Sequence, residues 1–171
     1  MTTLVRALGY ETTERADEAD LVILNTCAGE VRDDDGPTTP GFTDAQVEAL
    51  TAWVRGGGAL LALHAATVAS QSNLALRALL GAVFIEHPPQ FSFTVHPLHR
   101  EHPITAGIDA FAVHDEFYVH AFDDTITIHM MALDRGVAHP MVWSKREGQG
   151  RVAYIAMGHG PEVWGLEPYR R

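Results

Sequence analysis

Gly56-Gly57-Gly58-Ala59-Leu60-Leu61-Ala62-Leu63-His64-Ala65-Ala66-Thr67 is the stretch that decides the fold. The glycines end a helix, an apolar run follows, and the chain then turns at a single polar side chain, His64. An unbroken apolar run from Ala59 to Leu63 suits a strand buried on both faces, as in a parallel sheet covered by helices. A polar residue at the carboxyl end of such a strand stands where open α/β sheets bind ligands. The stretch therefore predicts both an architecture and a site, with His64 at the centre of that site.

Upstream of the glycines, Thr43 and Gln46 have the capping-box spacing, and Val47, Leu50 and Val54 share one helical face. A helix is predicted from Thr43 onward, with Gly56 to Gly58 giving it a left-handed exit. Earlier still, Leu21-Val22-Ile23-Leu24 centres a buried strand over 20–26. A loop rich in Asp, Gly and Pro follows over 27–42, and residues 2–8 read as the end of a helix stopped by Gly9. Downstream, a second helix spans Asn73 to Leu80 and stops at Gly81. Phe91, Phe93 and Val95 then alternate with Ser92 and Thr94, as in a half-exposed strand. Residues 96–107 read as a loop and 111–122 as partly extended. Further strands are predicted over 125–133 and 151–157, joined through Met141-Val142-Trp143, with Gly148-Gln149-Gly150 closing a hairpin. Strand–helix alternation first and antiparallel strands later indicate a mixed-sheet α/β architecture. No repeat or linker interrupts 1–171, so one domain is expected.

The composition narrows the classes of partner. With 12 Lys and Arg against 22 Asp and Glu, the formal net charge is −10. That argues against nucleic acid, whose binders carry basic patches. No apolar run approaches the ~20 residues that span a bilayer, so no membrane partner is expected and a cytoplasmic location is the default. Cys27 is the one cysteine, which forbids an internal disulfide, and it reads as a small buried residue. Asp33-Asp34-Asp35 reads as a solvated loop, without the spacing of a calcium-binding hand. The ten histidines are concentrated between His87 and His139. His102, before Pro103, reads as shaping its loop. His96, His99, His114, His120, His129 and His139 read as surface or packed residues.

Taken in order along the chain, several short motifs resemble the ThuA-like, or trehalose-utilisation, family over residues 20 to 164. They are Gly56-Gly57-Gly58 with Leu63-His64, His87-Pro88, His102-Pro103-Ile104-Thr105, Asp115-Glu116-Phe117-Tyr118, Pro140-Met141-Val142-Trp143, Gly150-Arg151-Val152 and Gly158-His159. The resemblance implies a variant of the class I glutamine amidotransferase fold: a flavodoxin-like, mostly parallel sheet flanked by helices with added antiparallel strands. Family members usually begin with a strand and helix ahead of the part seen here and carry a closing helix after the Gly-His motif. The resemblance thus implies a domain trimmed at both ends.

In class I amidotransferases the elbow carries a nucleophilic Cys, and a His after the last strand completes the pair. Here the elbow residue is His64, and His159 resembles the second position. Two imidazoles cannot generate a thiolate, so the resemblance implies the site without glutaminase chemistry. Asp115-Glu116 fits the family's Asp-Glu-x-Tyr pattern. Neighbours on a strand face opposite ways, so Glu116 is expected in the pocket and Asp115 turned from it. His64, Glu116 and His159 are the expected catalytic residues; His87, Asp115, Tyr118 and Trp143 are the expected substrate contacts. His64, His87, Glu116 and His159 are also suitable zinc-ligand types, so a divalent metal such as Zn is compatible, though no compact ligand motif is present.

The resemblance implies a carbohydrate-active hydrolase or lyase that acts on a small sugar or keto-sugar by His/Glu acid–base chemistry. Trp143, Trp164 and Tyr118 are aromatic faces on which a sugar can stack. A non-catalytic carbohydrate-binding or assembly module and a metal-dependent hydrolase stay open as alternatives, as does a homo-oligomeric state.

Overall fold

The computed structural model describes residues 2–7, 9–30 and 40–171; Asp33-Asp34-Asp35 lies outside them. The elements in chain order are α1 (Thr2–Ala7), a 3-10 turn (Ala16–Glu18), β1 (Leu21–Leu24), α2 (Asp44–Arg55), β2 (Ala59–Leu63), α3 (Ala66–Ala69), α4 (Leu74–Leu80) and β3 (Ala82–Glu86). They continue with β4 (Phe91–Pro97), β5 (Phe111–Asp115), β6 (Val119–Phe122), β7 (Thr127–Asp134), β8 (Val137–Glu147), β9 (Gly150–Ile155), α5 (Pro161–Trp164) and α6 (Glu167–Arg170).

Local chemistry sets the helix ends. Thr43 caps α2, with its hydroxyl accepting from the Gln46 N–H and the Gln46 side chain returning to the Thr43 N–H, which satisfies two otherwise orphaned donors. Asn73 caps α4 through the Leu76 N–H, and Gly81 closes that helix in the left-handed region at φ 77°. At the end of α2, Gly56 stays right-handed and Gly57 alone of the three glycines carries the positive φ.

The principal sheet has seven strands in the order β1-β2-β9-β8-β7-β4-β5, and β3 pairs with β6 in a separate two-stranded ladder. Strands β1, β2 and β9 are parallel. The remaining ladders of the large sheet, β9 with β8, β8 with β7, β7 with β4 and β4 with β5, are antiparallel. The expected α/β class holds, and the mostly parallel, flavodoxin-like description holds only for the β1-β2-β9 end of a mixed sheet. Only two of six ladders are parallel, and α2 is the one described helix longer than two turns. The physical reason is the Gly148-Gln149 hairpin: a two-residue connection folds β9 back along β8, and parallel pairing needs a long crossover.

β1 ends the sheet's strand order, and its outer residue Leu21 is 44% exposed. It is a half-buried strand rather than the buried one expected, because one of its sides has no described strand. Cys27, just beyond it, is exposed and not the small buried residue expected. The core lies on both faces of β2, β8 and β9. Leu60, Ala62, Val152, Tyr154 and Trp143 are buried and alternate with Leu61, Ala153 and Ile155, which line a cavity of about 170 Å³ with Tyr169. No described helix is long and apolar enough to cross a membrane.

Candidate functional site

Three strand ends converge. β2 and β9 are hydrogen-bonded neighbours, so the residues that follow them leave the sheet side by side. His64 follows β2 at the turn into α3, with φ 41°. A non-glycine side chain in that left-handed region is strained, and the surroundings hold it there. The His64 N–H donates to the Ile155 carbonyl at 2.8 Å. Its own carbonyl accepts from the Tyr154 hydroxyl at 2.8 Å. Its Nδ1 lies 2.7 Å from the Ala156 carbonyl oxygen, which can only accept, so Nδ1 carries the hydrogen.

That tautomer leaves Nε2 of His64 facing Glu116 Oε2 at 3.2 Å. The second carboxylate oxygen, Oε1, lies 3.2 Å from Nδ1 of His159. Glu116 thus bridges two imidazoles, one on the floor of the cleft and one at its mouth: the side chains are 5% exposed for His64, 14% for Glu116 and 50% for His159. The two histidine rings meet edge to face with centroids 5.7 Å apart. Burial pushes the His64 imidazolium below its ordinary range, opposed by the Ala156 carbonyl and by the charges of Asp115 and Glu116.

Asp115 closes the arrangement from below. It is buried, and its Oδ2 accepts the Gly158 N–H at 2.7 Å. Its Oδ1 accepts the N–H groups of Glu116 at 2.9 Å and of His159 at 3.3 Å. One carboxylate therefore ties the end of β5 to the turn after β9. Gly158 makes this approach possible: its φ is 126°, and a Cβ there would stand 2.7 Å from the Tyr169 hydroxyl.

The other expected residues fall into two groups. His87 reaches the cleft from β3, with Nε2 3.9 Å from Glu116 Oε2. Tyr118 forms the wall, stacked on His64 at a centroid distance of 4.1 Å and on His87 at 5.6 Å. Burial and the neighbouring Glu116 carboxylate raise its phenol well above the ordinary range. Asp115, expected both as a substrate contact and as turned from the pocket, is buried with its oxygens occupied by the backbone amides of Gly158, Glu116 and His159. Trp143 is not at the cleft. It is fully buried, stacks on Tyr154 and donates its indole N–H to the Leu80 carbonyl at 3.0 Å, because the four residues from Pro140 to Trp143 lie inside the sheet. Trp164 donates its indole N–H to the Gly158 carbonyl and buttresses the His159 turn. His102 shapes its loop as expected, its Nδ1 accepting the Ile104 N–H.

Sequence reasoning missed Tyr154, Thr67 and His120. Tyr154 OH and Thr67 Oγ1 meet at 2.9 Å, and His120 Nε2 lies within 3.2 Å of both. This network sits directly beneath the strained His64 carbonyl. A tyrosine inside an apolar strand reads as core, and the partners lie far apart in sequence, so no local signal announces it.

A family model described as trehalose utilisation, ThuA, matches residues 7–171. Among solved structures, a ThuA-like protein from Bacteroides uniformis aligns with a TM-score of 0.73 at 19% identity over 99% of this chain and 78% of its own. A ThuA-like protein from Parabacteroides merdae aligns with a TM-score of 0.68 at 17% identity over 85% of this chain and 62% of its own. A cold-adapted β-galactosidase from Rahnella sp. R3 aligns with a TM-score of 0.62 at 17% identity over 84% of this chain, which corresponds to 21% of that enzyme. At these identities the likeness concerns the fold. No functionally curated protein matches the chain.

Proposed function

The chain belongs to the trehalose-utilisation, or ThuA, family, and from that premise we propose that it acts on a small sugar or keto-sugar by proton transfer through His64, Glu116 and His159. One observation carries the chemistry. His64 spends its Nδ1 hydrogen on a backbone carbonyl, so its Nε2 and the Glu116 oxygen 3.2 Å away need one proton between them. A lone pair set against a carboxylate repels; a shared proton turns the contact into a hydrogen-bonded acid–base couple. Such a couple can protonate a leaving oxygen or accept a proton from a carbon beside a keto group. His159, at the mouth and on the other carboxylate oxygen, can exchange that proton with solvent or substrate. Tyr118, buried against His64 and His87, holds those rings in place.

A second reading, a non-catalytic carbohydrate-binding or assembly module, is favoured by a different observation: the same fold occurs as about a fifth of a β-galactosidase.

Turnover of a 3-keto-disaccharide panel, followed by product NMR, tests the proposal. Wild type should act on at least one member, and Glu116→Gln, with its melting temperature checked, should lose ~10²–10⁴-fold in rate. Equal rates for both proteins would remove Glu116 from the chemistry. Sugar binding without turnover would favour the module.

A further inference from the structure

We propose that His64, Glu116 and His159 form a divalent transition-metal site with an open coordination position, suited first to Zn²⁺. The proposal deepens the functional reading above and takes from it only that this cleft is a reaction centre. The evidence for the cation is geometric.

Nε2 of His64, a carboxylate oxygen of Glu116 and a ring nitrogen of His159 all lie within 4.8 Å of one another. Each imidazole nitrogen stands 3.2 Å from a carboxylate oxygen. An ion held tetrahedrally by bonds of about 2.0–2.1 Å requires ligand atoms about 3.3 Å apart. Each imidazole nitrogen already stands at that spacing from one of the two carboxylate oxygens, and the three ligand atoms, all within 4.8 Å, need only small side-chain movements to close on one ion.

The hydrogen-bond pattern points the same way. An imidazole that ligates a metal commonly donates its other N–H to a carbonyl or carboxylate, which fixes the tautomer and aims the lone pair. His64 does this through Nδ1 and the Ala156 carbonyl, 2.7 Å away. Its Nε2 lone pair is thereby directed at the point that Glu116 and His159 also face. Asp115 supplies the equivalent support for the other two ligands by fixing the backbones of Glu116 and His159.

The ligand set defines the class of ion. Two imidazoles and one carboxylate disfavour Ca²⁺ and Mg²⁺, which take oxygen cages, and favour Zn²⁺, Co²⁺, Fe²⁺ or Mn²⁺. The half-exposed His159 leaves one side of the cluster open to the cleft. Three protein ligands with an accessible fourth position are the pattern of catalytic rather than structural sites. A sugar hydroxyl or carbonyl entering beside the half-exposed His159 would meet that position. His87, 3.9 Å from Glu116, stands at the rim as a group able to exchange a proton with a molecule bound there.

The test is equilibrium dialysis of the full chain against Zn²⁺ with metal analysis, paired with Co²⁺ substitution read in the visible spectrum. Wild type should retain one ion per chain and give the d–d bands of a four- or five-coordinate Co²⁺. Glu116→Gln and His159→Ala should each weaken retention by more than the roughly 10–100-fold that loss of a mere outer-shell partner costs. His159 is half exposed, so its removal keeps the test valid even where His64→Ala fails to fold. His96→Ala should bind as wild type does and controls for surface histidines. Folded wild type that retains no stoichiometric ion, or retention unchanged in both Glu116→Gln and His159→Ala, overturns the proposal. The two readings fail separately. Sugar turnover by protein stripped of metal removes the cation and keeps the acid–base reading. Stoichiometric Zn²⁺ without sugar turnover keeps the site and removes the reading of its substrate.

Discussion

Replacing Asp115 by Asn changes one atom and should unfasten the site. In the native protein the buried carboxylate accepts three backbone N–H groups, those of Gly158, Glu116 and His159, at 2.7, 2.9 and 3.3 Å. An amide has one acceptor oxygen. In its better orientation that oxygen keeps the two bonds now made by Oδ1, and the new NH₂ is driven against the Gly158 N–H. One charge-assisted bond is lost, and such bonds contribute ~1.5–3 kcal/mol each. The Gly158 N–H is left buried without an acceptor, a cost of ~1–3 kcal/mol, and the two surviving bonds fall to neutral strength. The first two terms sum to roughly 2.5–6 kcal/mol, a large part of the ~5–15 kcal/mol that holds a domain together. Urea unfolding at pH 7.5 measures the loss directly. The Gly158-His159 turn must also shift to separate the two donors, so Zn²⁺ retention and turnover should fall together. An Asn variant within about 1 kcal/mol of wild type, with retention intact, would show that the backbone holds this turn without Asp115.

At position 64 the usual rank of Ala over Gly should reverse. The left-handed φ costs a non-glycine residue ~1–2 kcal/mol, so in thermal melts His64→Gly should match or exceed His64→Ala, whereas Leu60→Gly, in a buried strand, should be worse than Leu60→Ala; His64→Ala as the more stable variant would refute the strain. Acid should destabilise the protein early. Burial pushes His120 down to about 3 and His129 to about 4, and the Nδ1 of each is buried without a partner among the described residues. Because both folded values lie below the unfolded one, their contribution is complete above about pH 6.5 and is lost as pH falls toward 4. Between pH 7 and 5 this removes on the order of 3–4 kcal/mol, and a urea midpoint unchanged over that interval would sink the assignment of both rings as neutral.

Much of this was legible in the residues, for reasons that are local. The Thr43–Gln46 box, the helix that starts at about Asn73 and stops at Gly81, and the Gly148-Gln149 turn are each fixed within a few positions, and all occur as read. The elbow at His64 was legible because a polar residue after five apolar ones has few places to go. The antiparallel hairpin of β8 and β9 was legible too, but how far antiparallel pairing extends across the sheet was not. The run Pro140 to Trp143 is buried on both faces, as a parallel strand would be, but β8 owes that burial to its place between β9 and β7. Periodicity reports burial and carries no information on direction. For the same reason Trp143 read as a sugar contact when it is core. Pairing of β3 with β6, which brings His87 and Tyr118 to one wall, joins segments some forty residues apart and leaves no trace in either.

The acidic pair beside the cleft also sets what the cleft will refuse. Glu116 faces the site with the buried Asp115 carboxylate behind it, and among the described residues the ion pairs of Glu116 are with histidines alone. No guanidinium or ammonium is recorded against it to receive an anion. A sugar carrying a phosphoryl or uronate group would bring like charge against the largely buried Glu116 carboxylate, where repulsion is screened less than in open water. A divalent ion on the three ligands would bring the local sum to zero and no further. On the proposed function the site should therefore act as a charge filter, with neutral polyols and their oxidised, uncharged derivatives preferred over the phosphorylated sugars that share their shape.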